Sequence, residues 1–153
     1  MIFLPESVIT MQNNGNGTLT NVCATPAILT LIVPVPPSLN NAYTRGHGHG
    51  RRVLTAQGRD YKATVAELLL CRAQPSGGFE LAIGREDARI GLALRLYFPN
   101  RQRRDISNCV KLLEDSLAET LGFDDCRVDR LLVERTGIDK TNPRCEVTIE
   151  VLR

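Results

Sequence analysis

The sequence predicts a single two-layer α/β domain, with elements in the order βαβαββ, a mixed sheet and two main helices. Three observations carry that expectation. From Ile90 to Phe98 the apolar residues Ile90, Leu92, Leu94, Leu96 and Phe98 fall on alternate positions, the period of a strand with one buried face. Between Asp105 and Leu121 the residues Ile106, Val110, Leu113, Leu117 and Leu121 recur at helical spacing and make a single apolar stripe. Along the chain, strand-like and helix-like stretches alternate before two strands in succession close it.

Taken in order, residues 1–26 hold one charge, Glu6, around an Asn/Gly/Thr-rich centre, and are expected to be a poorly ordered extension outside the domain at 27–153. Ala27 to Val35 is β-branched and apolar, a strand stopped by Pro36-Pro37. PPSLNNAY then opens a loop, which RGHGHGRR (45–52) extends as a flexible, basic, unpacked segment. Thr55 caps a helix whose apolar positions are Tyr61, Val65, Leu68 and Leu69, and which ends before Pro75. Residues 79–88 stay open: FELAI alternates like a strand and GREDA reads as loop. The strand ending at Phe98 is stopped by Pro99, and the helix over 105–121 by Gly122. Strands at Arg127–Arg135 and Cys145–Leu152 complete the domain.

Composition narrows the classes. With 153 residues and 42% hydrophobic content the chain can bury a core, which excludes wholesale disorder, collagen-like sequence and a coiled coil. The longest apolar run, Ala27 to Pro37, is too short for a bilayer and is broken by prolines, so no membrane partner is expected. No basic leader precedes an apolar segment, and the five cysteines are widely spaced without a C-x-x-C. Both features point to a cytoplasmic protein with reduced, mostly buried thiols. The formal net charge of +2 conceals a division along the chain. Residues 45–111 hold 13 basic and 6 acidic groups, whereas residues 112–153 hold 6 basic and 10 acidic.

The basic part contains Arg101, Arg103 and Arg104, a triplet before the second helix. It is either a solvated loop or a phosphate-positioning one, because guanidinium forks match phosphate oxygens. At helical spacing Asp105, Asn108, Lys111 and Asp115 share one polar face opposite the leucine stripe. Asp105 reads equally as an N-cap, and Lys111–Asp115 as a surface ion pair. Asp124-Asp125 follows the helix stop. It is a solvated turn, or a pair of carboxylates offset by a cation.

The collinear set PPSLNNAY, a basic Gly-rich loop, TAQGRDY, FPNRQRRDISNCVKLLEDSL and GFDDCRVD resembles the RusA-type Holliday junction resolvases, from about Leu31 to Leu152. Its most specific part is R-R-D-x-x-N-x-x-K-x-x-x-D followed by G-x-D-D before a strand. The resemblance implies a homodimer that cuts branched DNA with Mg²⁺ or Mn²⁺. By position it implies Asp105, Lys111 and Asp125 as catalytic residues and Asp105 and Asp125 as metal ligands, with Asp124 beside them. Arg101, Arg103, Arg104 and Asn108, with Arg51 and Arg52 of the earlier loop, would contact DNA. One departure stands out. The commonest family pattern has an aspartate two residues after the first, and Ser107 occupies that place, a far weaker Mg²⁺ ligand. The alternative it raises is a branched-DNA-binding protein that has lost part of its metal site and no longer cuts.

Overall fold

A computed structural model of the chain describes residues 9–14, 18–23, 27–46, 52–72 and 78–152. Within the amino-terminal 26 residues, β1 (Ile9–Asn14) and β2 (Thr18–Cys23) pair antiparallel as a two-stranded sheet of their own. The domain that follows runs β3 (Ile28–Val33), α1 (Leu39–Ala42), β4 (Tyr43–Arg45), β5 (Arg52–Leu54), α2 (Ala56–Arg72), α3 (Gly78–Ile83), β6 (Arg89–Phe98), α4 (Val110–Leu121), β7 (Val128–Ile138) and β8 (Arg144–Leu152).

Four of these strands form a mixed sheet in the order β3-β8-β6-β7, with β6 and β7 parallel and the other pairs antiparallel. The parallel pair requires a crossover, and α4 supplies it. The return from β7 to β8 is a tight turn built by Asp139. Its Oδ1 accepts the amides of Thr141 and Asn142 at 3.1 and 3.0 Å, and those bonds hold its carboxyl below the usual range.

One face of the sheet carries the core. Leu31 and Val33, Leu92, Leu94 and Leu96, and Cys145, Val147 and Ile149 are buried there with Tyr61, Val65 and Leu69 of α2 and Val110, Leu113 and Leu117 of α4. This is the expected two-layer α/β domain with two main helices.

Local differences from the sequence reading have physical causes. FELAI is helical, not a strand: Phe79 and Ile83, four residues apart, both turn to the core, while Leu81 is 78% exposed. PPSLNNAY and the basic segment after it are not an unpacked loop throughout. Ala42 of α1 is wholly buried, and β4 pairs with β5. A close approach fixes this corner, because a Cβ on Gly58 would stand 2.6 Å from the Ala42 carbonyl oxygen. Thr55 caps α2 as expected, its hydroxyl accepting the Gly58 amide at 3.1 Å. The second main helix opens later than Asp105, with a 3-10 turn at Ser107–Cys109 ahead of α4. Of the four cysteines whose burial is described, Cys109 and Cys145 are buried and Cys71 and Cys126 are exposed.

Candidate active site

The leucine stripe of α4 fixes what its other side presents. With Val110, Leu113 and Leu117 buried, Lys111 and Asp115 are left at the open face and Glu114 stands half-buried. Gly122 ends the helix in the left-handed conformation at φ 72°, where a Cβ would be strained. The chain then enters a 3-10 turn, Asp125–Arg127, whose cap is Asp124. Asp124 Oδ1 accepts the Cys126 amide at 3.0 Å, and this bond holds the Asp124 carboxyl below its ordinary range. Arg127 pins the turn from the other end, donating to the carbonyl oxygens of Ala88, Ile83 and Arg85 at 2.9, 2.7 and 2.6 Å.

With Asp124 engaged as the cap, Asp125 is the carboxylate that meets the helix. Lys111 Nζ donates to Asp125 Oδ2 at 2.6 Å and lies 2.9 Å from Asp115 Oδ1 and 3.8 Å from Glu114 Oε2. These bonds, to Asp125 first and Asp115 second, raise the Lys111 pKa well above its ordinary value and keep the ammonium charged. Burial pushes the Glu114 carboxyl up. Asp125 and Asp115 add to that rise, against the downward pull of Lys111. Tyr43 donates its hydroxyl to Asp115 Oδ2 at 3.2 Å, tying β4 to the cluster; its own pKa is raised by burial and then by Asp115.

Asp105 belongs to a neighbouring group. Its Oδ1 accepts from the Ser107 amide at 3.1 Å and the Ser107 hydroxyl at 2.7 Å, and its Oδ2 accepts from Asn108 Nδ2 at 3.3 Å. Asp105 thus makes the bonds of a capping turn, and Ser107 fills one of the carboxylate's acceptor positions. No hydrogen bond or ion pair among the described residues joins this group to the Lys111 cluster.

Could this set hold a divalent metal? Among the described residues no three His, Cys, Asp or Glu side chains stand together as a metal-binding group. The donor chemistry nevertheless fits a hard cation. Three carboxylates face one ammonium, their ligand atoms are all oxygen, and the surplus negative charge pushes on Glu114. Asp105 and the Ser107 hydroxyl add further oxygens.

The arginines separate by role. Arg101 and Arg103 are exposed. Arg104 lies half-buried over the Phe98 ring, 5.2 Å from its centroid, and Arg135 lies over the same ring at 5.2 Å and donates to the Arg104 carbonyl oxygen. Arg104 Nη1 is buried with no hydrogen-bond partner among the described residues. The Arg104 residue lines a recess of about 630 Å³ with Pro36, Phe98, Arg103, Asp105 and Asn108. Arg52 is exposed at the start of β5; Arg51, His47 and His49 lie outside the described residues. Arg59 and Lys62 are engaged within the chain, with the Leu54 carbonyl and Glu119 respectively. Sequence reasoning missed Glu114, Tyr43 and Arg135. The spacing of Glu114 from Lys111 was a signal for the first, whereas nothing local marks the other two.

An oxygen-rich acidic cluster around a fixed ammonium thus stands on the same two-layer α/β domain as an arginine-lined recess. The chain belongs to the endodeoxyribonuclease RusA family, whose model matches residues 33–150. It is 33% identical over 121 residues to the crossover junction endodeoxyribonuclease of Enterobacteria phage 82, covering 78% of this chain and 91% of the relative. The corresponding proteins of Escherichia coli K12 and Shigella sonnei are 31% and 30% identical over 122 residues, covering 78% of this chain and 92% of each relative. No helix among the described residues is long and apolar enough to cross a membrane.

Proposed function

We propose that the protein is a metal-dependent endodeoxyribonuclease that resolves Holliday junctions, four-way DNA, by paired symmetric phosphodiester cleavage in recombination and repair. The observation that carries the reading furthest is the Lys111–Asp125 pair, joined across a helix and a turn beside Asp115. Asp105 and Asp125, with Asp124 adjacent, are the residues to hold Mg²⁺ or Mn²⁺. Such an ion, when bound, polarises the scissile phosphate and acidifies a water.

The remaining work falls to the chain's own groups. Lys111 is held cationic by Asp125 and Asp115, so it serves as a fixed positive charge against the anionic transition state and not as a base. Arg104, which lines the recess, offers a charge-assisted bond to a phosphate entering it. Arg101 and Arg103, exposed beside it, hold neighbouring phosphates, as do Arg51 and Arg52 of the earlier loop; Asn108 keeps Asp105 oriented. A homodimer suits the substrate, since a twofold enzyme sets two sites on two symmetric strands. The reading places the protein in the cytoplasm, where free thiols such as Cys71 and Cys126 stay reduced.

One observation favours a second reading, a branched-DNA binder that does not cut: the Ser107 hydroxyl stands at hydrogen-bond distance from Asp105 where a carboxylate would complete a ligand set. A labelled four-way junction incubated with the protein in Mg²⁺, in Mn²⁺ and in EDTA decides between them. Paired nicks on symmetric strands that require the metal and vanish in Asp125→Asn are the expected result. Binding without cutting in either metal selects the second reading.

A further inference from the structure

Tyr43 reaches the Lys111 cluster from outside the helix and turn that build it. Its hydroxyl donates to Asp115 Oδ2 at 3.2 Å, while Asp115 Oδ1 lies 2.9 Å from Lys111 Nζ, so each oxygen of that carboxylate has its own partner. The tyrosine stands where the fold fixes the chain. Ala42, just before it, is wholly buried, and the Ala42 carbonyl oxygen accepts the Thr55 amide at 2.9 Å. The Thr55 hydroxyl donates to the Asn41 carbonyl oxygen at 2.7 Å, and Gly58 leaves no room for a Cβ beside Ala42. Tyr43 itself pairs with Leu54 in the β4–β5 ladder. The start of α2 thus pins the Tyr43 backbone, and α2 is tied to α4 by the Lys62–Glu119 ion pair, one helical turn beyond Asp115.

Lys111 needs such a fixed point. Its ammonium ends a flexible four-carbon stem, and holding it in one place costs rotamer freedom. Its two close carboxylates are Asp125 at 2.6 Å and Asp115 at 2.9 Å. Asp125 is one of the residues proposed to hold the metal, and an oxygen given to an ion is drawn away from the ammonium. Asp115, held through its second oxygen by Tyr43, is the partner left to the lysine.

We infer that Tyr43 is a positioning residue for strand cutting: its hydroxyl orients the Asp115 carboxylate, and that carboxylate sets the Lys111 ammonium against the phosphate. This rests on the nuclease reading and adds to it a residue from a separate part of the fold. The ring of Tyr43 packs against the core, a task that phenylalanine performs as well. The hydroxyl adds the bond to Asp115, so ring and hydroxyl can be tested apart.

The test is Tyr43→Phe, with Tyr61→Phe as its control, since Tyr61 gives its hydroxyl to the Pro34 carbonyl oxygen, also at 3.2 Å. Single-turnover cutting of a four-way junction in Mg²⁺ should slow about tenfold or more in Tyr43→Phe, the scale of a misplaced reacting group. Junction affinity in EDTA should stay nearly unchanged, and Tyr61→Phe should cut as the parent does. Adding Tyr43→Phe to Asp115→Ala should slow cutting no further, because the hydroxyl then has no carboxylate to act through.

A second readout needs no cutting. The lysines of the chain are Lys62, Lys111 and Lys140, so the Lys111 ammonium is assignable in ¹H–¹⁵N spectra by its loss in Lys111→Arg. In metal-free Asp125→Asn, where Asp115 is the close carboxylate that remains, this signal should persist. Adding Tyr43→Phe should broaden it beyond detection, and adding Tyr61→Phe should not. A cutting rate or an ammonium signal indifferent to Tyr43→Phe overturns the proposal, as does an equal loss in Tyr61→Phe. A fall in affinity at an unchanged rate also overturns it, making Tyr43 a DNA contact. A parent chain that cuts in neither Mg²⁺ nor Mn²⁺ fails the nuclease reading, and the ammonium signal alone then judges whether Tyr43 sets Lys111.

Discussion

Lys111 Nζ and Asp125 Oδ2 stand 2.6 Å apart although 14 residues, most of a helix and a left-handed glycine separate them in the chain. Asp115 holds the same ammonium from one helical turn on, at 2.9 Å. The Lys111 pKa is raised, so the protonated form is favoured by folding. The pair's stabilisation is complete below the unfolded lysine value and fades only as pH climbs through the higher folded one. Between pH 6 and 9 the charge is constant.

Lys111→Ala should therefore lower the rate of junction cutting about 100-fold or more, on the scale of removing one preorganised electrostatic donor. The loss should be flat across pH 6 to 9, while junction affinity falls less than tenfold. Single-turnover cleavage beside gel-shift titration measures both. A loss confined to affinity would assign Lys111 to binding alone.

Ser107→Asp tests the departure in the ligand set. The Ser107 hydroxyl lies 2.7 Å from Asp105 Oδ1, so the substitution sets two carboxylates against each other. Like charges that close raise the folded pKa of one of them. A raised acid is destabilising above its unfolded value, and the deficit disappears as pH falls below about 4. In EDTA at neutral pH the variant should melt below the parent. Millimolar Mg²⁺ should then raise its melting temperature more than the parent's, since an ion bound at 100 times its Kd contributes about 2.7 kcal/mol. Equal shifts with Mg²⁺ in both proteins would mean that position 107 is not a missing ligand.

How far this site was legible from sequence depends on what each residue needed. The leucine stripe from Val110 to Leu117 reported α4 and, by exclusion, the open face with Lys111 and Asp115, because local period alone decides them. Asp105 was legible as a cap or a ligand but not as one rather than the other: its bonds to Ser107 and Asn108 depend on a 3-10 turn that periodicity does not distinguish from an α-helix. That Asp125 reaches Lys111 while Asp124 caps follows from Gly122 and the Arg127 anchors, which are tertiary. FELAI stayed open because alternation over five residues does not separate the two periods. Only burial of Phe79 and Ile83 with Leu81 exposed separates them. The Arg104–Phe98–Arg135 stack joins residues from three segments and left no local trace.

Arg101 and Arg103 are exposed ahead of the recess, so their contribution to DNA affinity should be electrostatic. Changing both to Gln should reduce the slope of log K against log salt by about 1.8, or about 0.9 for each phosphate contact removed. Affinity at low salt should drop for junction and duplex alike. Fluorescence anisotropy from 50 to 300 mM salt reads the slope. An unchanged slope would place the DNA path elsewhere on the domain.

Arg127 is the structural anchor beneath the site, and its loss should show first in stability. Its guanidinium reaches the carbonyl oxygens of Ala88, Ile83 and Arg85 together, joining the turn that bears Asp125 to the link between α3 and β6. Arg127→Met keeps most of the side-chain volume but leaves those carbonyls without their donor, a loss of about 2 kcal/mol for charge-assisted bonds to partly buried acceptors. In a domain of this size that lowers the melting temperature by about 4 to 8 °C. Arg127→Lys should recover less than half of it, because a single ammonium lacks the planar fork that spans separated acceptors. The turn holding Asp125 is loosened in both variants, so cutting should fall with stability even though Arg127 lies outside the Lys111 cluster. Thermal melts of the three proteins, followed by junction cleavage well below the lowest melting temperature, test both halves; full activity in a destabilised Arg127→Met would show that Asp125 is positioned without this anchor.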